Sequence, residues 1–432
     1  MDFQIIGGIK LSGSISVNAA KNCAVALLCA SLINKGTTVL RNVPKIEEVN
    51  RIIEVLRSIK VQVTWINDSD LEIAPPPRIH LEGIDVESAL KTRSVILLIG
   101  SLIHRFSAFQ IPQSGGCKLG TRTIRPHLLA LEKLGVKIKT LENSFEVKYN
   151  KLKSAKIVLY ESGDTATENT ILAASAIPKQ TTIKFASSNY MVQDLCFFLQ
   201  KLGVKIKGVS STTLSVEGLT DINQKVEYCI SEDPIEAMLF LSIAATTNST
   251  LLIQRCPIDF LELELEKLSQ MGFKYKIVKR YKSNNELTNL VDIQTYQSNL
   301  KALDEKIYAR PFPGLNIDNL PFFVPIATQS KGKTLIHDWI YENRAIYYME
   351  LTKLGANMEL ADPHRVFITG PTKLKAAQVV CPPALRPAAI VLIAMLAAEG
   401  TSILRNVYSI NRGYEDLCTR LNNLGAQIQI IN

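Results

Sequence analysis

GTTVLRNVPKIEEVNRIIEVLRSIKVQV, Gly36 to Val63, is the stretch from which the fold is read. It opens on a Thr-Thr-Val-Leu run of strand composition and crosses a short loop. It then carries apolar residues at i, i+3, i+4 and i+7, the period of an amphipathic helix, before a second strand. The same order returns as TTIKFASSNYMVQDLCFFLQKLGVKI from Thr181 and STLLIQRCPIDFLELELEKLSQMGFKY from Ser249. It returns again as KTLIHDWIYENRAIYYMELTKLGANM from Lys333 and GTSILRNVYSINRGYEDLCTRLNNLGAQI from Gly400. A diverged sixth copy runs from Phe109 to Ile138. Gly135, Gly203, Gly272, Gly355 and Gly425 end five of these helices, at separations of 68, 69, 83 and 70 residues, and Ile59 takes that place in the first. Glycine there suits a left-handed helix C-cap. A period of about 70 residues exceeds the ~20–50 of solenoid repeats. It fits six supersecondary units grouped into domains.

Ahead of each strand runs a helix of another kind, Ala-rich and apolar: AAKNCAVALLCASLI, TRSVILLIGSLIH, ENTILAASAI, IEAMLFLSIAA, DNLPFFVPIAT and RPAAIVLIAMLAA. A helix apolar on all sides must be buried on all sides. Three units around an axis therefore place three apolar helices inside and sheets outside, an α/β architecture of two three-unit domains. The expected division is residues 22–231, carrying the Cys117 loop, and residues 1–21 with 232–432. Lys279 to Leu300, polar and poorly periodic, reads as a surface insertion and accounts for the 83-residue spacing.

The 432 residues are 47% apolar and 21% charged, as in ordinary globular chains. The net charge is +9, from 49 basic and 40 acidic residues. The basic residues are scattered, and the 7% aromatics do not interleave with them. This favours a multiply anionic small ligand over nucleic acid. The start, MDFQIIGGIKLSG, lacks a secretory pattern. The longest apolar run, Ala388 to Ala398, is shorter than the ~20 residues a membrane span needs. Eight cysteines form no CxxC pair and five histidines do not cluster with them, so neither a zinc site nor a disulfide framework is indicated. A reducing cytoplasm is expected.

Five ordered motifs span the chain: LSGSISVNAAKN ending at Asn22, IPQSGGCKLGTR around Cys117, PFPGLNID ending at Asp318, YENR at Tyr341–Arg344, and INRGYE around Arg412. With the six repeats, the chain resembles the enolpyruvyl transferase family from end to end. Within that family it is most similar to the peptidoglycan branch. The resemblance implies two inside-out α/β domains, each of three βαβαββ-type units around apolar central helices. It also implies transfer of the carboxyvinyl group of phosphoenolpyruvate to a hydroxyl of UDP-N-acetylglucosamine. No metal or organic cofactor is implied, and the partners are small molecules; oligomeric state is not readable.

Such chemistry needs cations for a phosphate and a carboxylate, an acid for C3 of the donor, and a base for the acceptor hydroxyl. The resemblance implies that Lys21 binds the phosphate and Asn22 the acceptor. It implies that Arg122 and Arg412 contact phosphoenolpyruvate, with Arg386 and Arg93 supporting and Arg344 near. Arginine suits these places because its planar fork meets phosphate or carboxylate in a bidentate way. Cys117 is implied as the acid and product-release residue on a loop that closes over the substrates, and as the thiol that fosfomycin alkylates in the family. Lys118 and Arg122 beside it favour a thiolate. Asp318 is the candidate general base, and a position before a helix also suits an N-cap. The other cysteines lie in apolar runs and read as small hydrophobes.

The acceptor side departs from the family pattern. GTRTIRPH after Cys117 puts Thr123, Ile124 and Arg125 where Pro-Val-Asp is usual, and keeps His127. The diphosphate stretch is YESGDTATEN, with Glu161 and Asp164 where a Lys and a neutral residue are expected, and Gly163 and Asp164 stay candidates for binding the acceptor. Leu97 replaces an aromatic residue, Ala384 an Asp, and Pro234 an Arg. Arg125 offsets part of the lost positive charge. Two other readings stand beside the peptidoglycan one: a paralogue using a different uridine nucleotide in secondary metabolism, and an inactive nucleotide-sugar-binding protein. Retention of Lys21, Cys117, Arg122, Asp318 and Arg412 together argues against the last.

Overall fold

The computed structural model describes residues 1–113 and 123–431. Contacts divide these into two compact units. One holds residues 1–18 and 232–431, the other residues 19–113 and 123–231.

The apolar helices form where the sequence is richest in Ala, Leu and Ile. In the 19–231 unit they are α1 (Lys21–Ala30), α2 (Leu98–Leu102, entered through a 3-10 turn Arg93–Leu97) and α3 (Asp164–Ala174). In the other unit they are α4 (Pro234–Thr246), α5 (Phe323–Thr328, entered through Leu320–Phe322) and α6 (Leu385–Ala397). All residues of α4 are buried, and in α6 Leu385 to Leu396 are. Helices α4, α5 and α6 touch one another pairwise, so each is packed on every side. Burying a Leu, Ile or Phe contributes ~1.5–3 kcal/mol, which makes these helices the main hydrophobic store of each unit. The sequence explains the starts as well. Pro234 opens α4 at a position where its missing N–H costs nothing, and Asp233 caps the helix by accepting from Ile235 N.

Each unit has three sheets. Five of the six are four-stranded and share one plan, two antiparallel pairs and one parallel pair. The parallel pairs are Ser12–Ser16 with Thr250–Pro257, Lys156–Val158 with Thr181–Lys184, Val226–Cys229 with Thr38–Arg41, Ile307–Tyr308 with Gly332–His337, and Gln378–Val380 with Gly400–Arg405. Parallel strands require a crossover, and the apolar helices supply it. Strands Ser12–Ser16 and Val226–Cys229 each pair with a strand remote in sequence, because the chain changes unit directly after them. The sixth sheet (Ala108–Pro112, Lys137–Thr140, Ser144–Lys148) is wholly antiparallel. The first strand, Asp2–Gly7, lies between Gly400–Arg405 and Gln427–Ile431, so the start of the chain completes the last repeat.

Amphipathic helices cover the sheets as the period predicts. Glu47–Ser58 buries Val49, Ile52, Ile53, Val55 and Leu56. In the fifth repeat the element is a 3-10 helix, Ala345–Leu354, that ends on Gly355. Gly135, Gly203, Gly272, Gly355 and Gly425 are all left-handed, with φ between 84° and 93°.

Two expectations are corrected. The residue matching these glycines in the first repeat is Lys60, at φ 70°, and not Ile59, whose φ is −90°. Lys279 to Leu300 is not an insertion loop. It belongs to a long hairpin, Lys274–Lys282 with Asn289–Tyr296, whose second strand is the sheet's inner strand. Leu290, Val291 and Ile293 are buried there. Polar Asp292 and Thr295 break the apolar pattern because they accept local hydrogen bonds or donate them: Asp292 takes Tyr281 Oη and Arg255 N, and Thr295 Oγ1 reaches Ser249 and Leu251.

Candidate active site

In the 19–231 unit Lys21 and Asn22 stand at the start of α1 and Gly163 and Asp164 at the start of α3, with Arg93 in the turn before α2 and Arg125 and His127 on the helix Arg125–Lys133. Lys21 is the first residue of α1, whose N-cap Ala20 gives no side-chain cap. Its Nζ is 2.9 Å from Glu48 Oε2, and both side chains are largely buried, 13% and 14% exposed. Glu48 thus fixes the ammonium beside a helix start, where an anion is favoured. Asn22 Nδ2 donates to Tyr190 Oη at 2.9 Å. Arg93 is half-buried, and its Nη2 lies 3.5 Å from Thr123 O.

His127 is buried, 3% exposed. Its Nδ1 faces Asn169 Nδ2 at 3.2 Å, and its Nε2 faces Thr165 Oγ1 at 3.4 Å. Asn169 also takes Gly100 N and reaches Ile96 O, so His127 is locked into α2 and α3. Burial first, and the nearby Arg93 charge second, lower its pKa from 6.5 to about 4. It is therefore neutral at pH 7, and an Nδ1 acceptor implies the Nε2–H tautomer. Arg125 opens the helix Arg125–Lys133 with an exposed side chain. Its backbone N–H donates to Thr123 Oγ1.

Gly163 is the N-cap of α3, and a Cβ on it would lie 3.0 Å from Glu161 Oε1. Asp164 follows it. Its Oδ1 accepts from Ser187 Oγ at 2.6 Å and its Oδ2 from Asn189 Nδ2 at 3.3 Å. The acid that departs from the family pattern is engaged by neighbouring side chains. Cys117 and Arg122 lie outside the described residues.

In the other unit, Asp318 lies just before the turn that leads into α5. Its side chain is 24% exposed. One carboxylate oxygen is 3.3 Å from Arg386 Nη2 and the other 3.8 Å from Arg344 Nη1. The loop carrying it is fixed on two sides. Asn316 Oδ1 accepts from Asp318 N, and buried Glu264 accepts from Asn316 N and Asn319 Nδ2. The N-cap position falls on Asn319, whose side chain makes no capping hydrogen bond. Arg386, on the first turn of α6, donates from Nη1 to Tyr414 Oη at 2.8 Å. Arg344 is 1% exposed and sits over the Tyr341 ring at 4.3 Å. Arg412 ends the short helix Tyr408–Asn411. Among the described residues its side chain makes no hydrogen bond or ion pair, and its Nε is buried without a partner. That leaves its guanidinium available to an anion.

The sequence reading missed Glu48, Tyr190, Asp338, Tyr348 and Tyr414. No local pattern marks the first two, whose partners lie 27 and 168 residues away. Tyr414 stands within INRGYE and could have been found there. Six of the seven other cysteines behave as read: Cys23, Cys29, Cys196, Cys229, Cys256 and Cys381 are buried, and burial raises Cys381 to about 12, whereas Cys418 is only half-buried. No helix among the described residues is long and apolar enough to cross a membrane.

Comparison with known proteins places the chain in a family. A family model described as EPSP synthase (3-phosphoshikimate 1-carboxyvinyltransferase) matches residues 5–421. A protein of Bradyrhizobium diazoefficiens named UDP-N-acetylglucosamine 1-carboxyvinyltransferase is 33% identical, over 99% of this chain and 98% of its own length. Its namesake in Treponema denticola is 34% identical over 99% of both. Among solved structures, the enolpyruvyl transferase NikO from Streptomyces tendae has a TM-score of 0.85 at 20% identity, covering 99% of this chain and 98% of its own. EPSP synthase from Acinetobacter baumannii has a TM-score of 0.79 at 18% identity, with both chains fully covered. The structural matches establish the fold, and the family model and the curated relatives settle the lineage: the chain belongs to the EPSP synthase family, the enolpyruvyl (carboxyvinyl) transferases.

Proposed function

We propose that the protein transfers the enolpyruvyl group of phosphoenolpyruvate to a hydroxyl of UDP-N-acetylglucosamine, releasing inorganic phosphate, a step of peptidoglycan synthesis. The observation that carries the reading is the Asp318 carboxylate, held 3.3 Å from Arg386 in a chain that also keeps Lys21 at a helix start. A carboxylate within hydrogen-bond reach of a bound hydroxyl is the kind of group that takes its proton, and the arginine holds it in one orientation.

The residues divide the work by charge. Lys21, Arg122 and Arg412 hold the donor's phosphate, with Arg386 and Arg93 in support. Asn22 and the Arg93–Arg125–His127 group serve the acceptor, with Gly163 and Asp164 shaping the turn beside them. Arg344 holds the Asp318 loop. Cys117 gives a proton to C3 of the donor, and the acceptor oxygen bonds to C2 as its proton passes to Asp318. The resulting tetrahedral adduct loses phosphate from C2 and a proton from C3, leaving the enol ether. Electrostatic stabilisation of the adduct's phosphate and carboxylate is the largest expected contribution.

The test is a panel of acceptors with phosphoenolpyruvate and a phosphate-release readout. Turnover with UDP-N-acetylglucosamine, lost in Cys117→Ala, is the expected result. Turnover only with a uridine nucleotide lacking that sugar would refute the acceptor and leave the reaction class standing. Binding of the nucleotide sugar without phosphate release from any acceptor would refute both.

A further inference from the structure

Asp338 follows the strand Gly332–His337 and is buried, 1% exposed. Its backbone is anchored: its N–H donates to His364 O at 2.7 Å, and His364 Nδ1 faces its carbonyl at 3.0 Å. Its carboxylate takes a bidentate pair from Arg344, Nε to Oδ2 at 2.6 Å and Nη2 to Oδ1 at 2.9 Å. Tyr348, fully buried, donates its hydroxyl to Asp338 Oδ2 at 2.5 Å. Arg344 Nη2 also donates to Ile317 O at 2.8 Å, and its Nη1 reaches toward Asp318.

Three buried polar side chains are costly to hold together. A buried ion pair contributes little net stability compared with apolar residues of the same volume. What such a pair does supply is fixed geometry, since its two parallel bonds allow one orientation. Here that orientation is passed on to a single place, the Ile317–Asp318 peptide. Asp338 neutralises the Arg344 charge from behind. Arg344 can then hold the Ile317 carbonyl without closing into a tight pair with Asp318, from which it stands off at 3.8 Å.

We infer that Asp338 and Tyr348 are positioning residues for proton transfer, aligning Asp318 through Arg344. The inference rests on the reading of Asp318 as the proton acceptor. Neither residue is placed against a substrate. Their effect belongs to kcat, since they act on the reacting carboxylate and not on the phosphate or nucleotide contacts.

Steady-state kinetics of Tyr348→Phe, Asp338→Asn and Asp318→Asn, singly and combined, test it. Tyr348→Phe removes one oxygen and keeps the ring's volume, so it decides the matter if Asp338→Asn does not fold. The expected result is a kcat about tenfold lower in Tyr348→Phe, with both KM values within about twofold of the parent. In the Asp318→Asn background the Tyr348→Phe change should cost no further activity, because both act on one step. A Tyr348→Phe protein with lowered Tm and unchanged kcat would make the cluster merely structural and overturn the inference. So would a loss that multiplies with that of Asp318→Asn. Full activity in Asp318→Asn alone would instead refute the reading of Asp318 itself, and the positioning role with it.

Discussion

Lys21 is the residue whose surroundings make the sharpest prediction. Its ammonium is held by Glu48 at the start of a buried helix, the placement on which the proposed phosphate contact rests. Lys21→Ala is expected to lower kcat/KM for phosphoenolpyruvate by about 100-fold, roughly the value of a charged contact with the reacting group. The same substitution should leave the circular-dichroism spectrum unchanged. His127 and His104 make a different prediction. Burial lowers both to about 4, and the His104 ring bonds Leu172 O through Nε2. Both are neutral when folded but take protons near 6.5 when unfolded. Stability should hold above about pH 6.5 and fall as the pH drops toward 4, by roughly 3 kcal/mol for each histidine. Urea unfolding at pH 7.5, 6 and 5 would check this, and a stability that stays flat across that range contradicts it. At this scale the sequence, through its motifs, singles out Lys21, Asp318 and Arg412 as candidates. It could not disclose Glu48 or Tyr190, whose meaning comes only from a partner brought close by folding.

The helix ends turn a repeated letter into energy. Gly425 has φ 92°, and a Cβ there would meet nothing within 4 Å. Gly425→Ala therefore isolates the backbone cost, and a loss of about 1 kcal/mol is expected from thermal or urea unfolding. Lys60 occupies the same left-handed position with a side chain, so Lys60→Gly should raise stability by about 0.5–1 kcal/mol. Deeper in, Phe240 on α4 is fully buried, with Arg420 above its ring at 5.2 Å. Phe240→Ala should cost about 3–5 kcal/mol. Periodicity revealed both helix types because each has an unambiguous burial pattern. It failed for Lys279–Leu300, where the outer strand of the hairpin buries no residue and its alternation of exposed and half-buried positions breaks at Val278, Lys279 and Arg280. It also misplaced the first helix end by one residue, since Lys60 lacks the glycine that marks the others.

At the scale of the molecule, six variations on one unit answer to six sheets and six apolar helices, three in each compact unit. The sequence could reveal the number of repeats because each repeat carries its own pattern. It could not reveal which strand joins which sheet. Ser12–Ser16 pairs with Thr250–Pro257, and Val226–Cys229 pairs with Thr38–Arg41; those partnerships depend on where the chain passes from one unit to the other.

The strand Asp2–Gly7 has a consequence for biosynthesis. It is hydrogen-bonded on both sides to segments from the far end of the chain. During translation it must wait, paired only with water, until residues 400–431 have left the ribosome. Residues 19–231 are all available much sooner, and at about 5–20 residues per second that head start is on the order of ten to forty seconds. The inserted half can mature while the half that encloses it in sequence is still being made. A nascent chain stalled before residue 400 would keep its N-terminal peptide open to protease, and full-length release would shut that window.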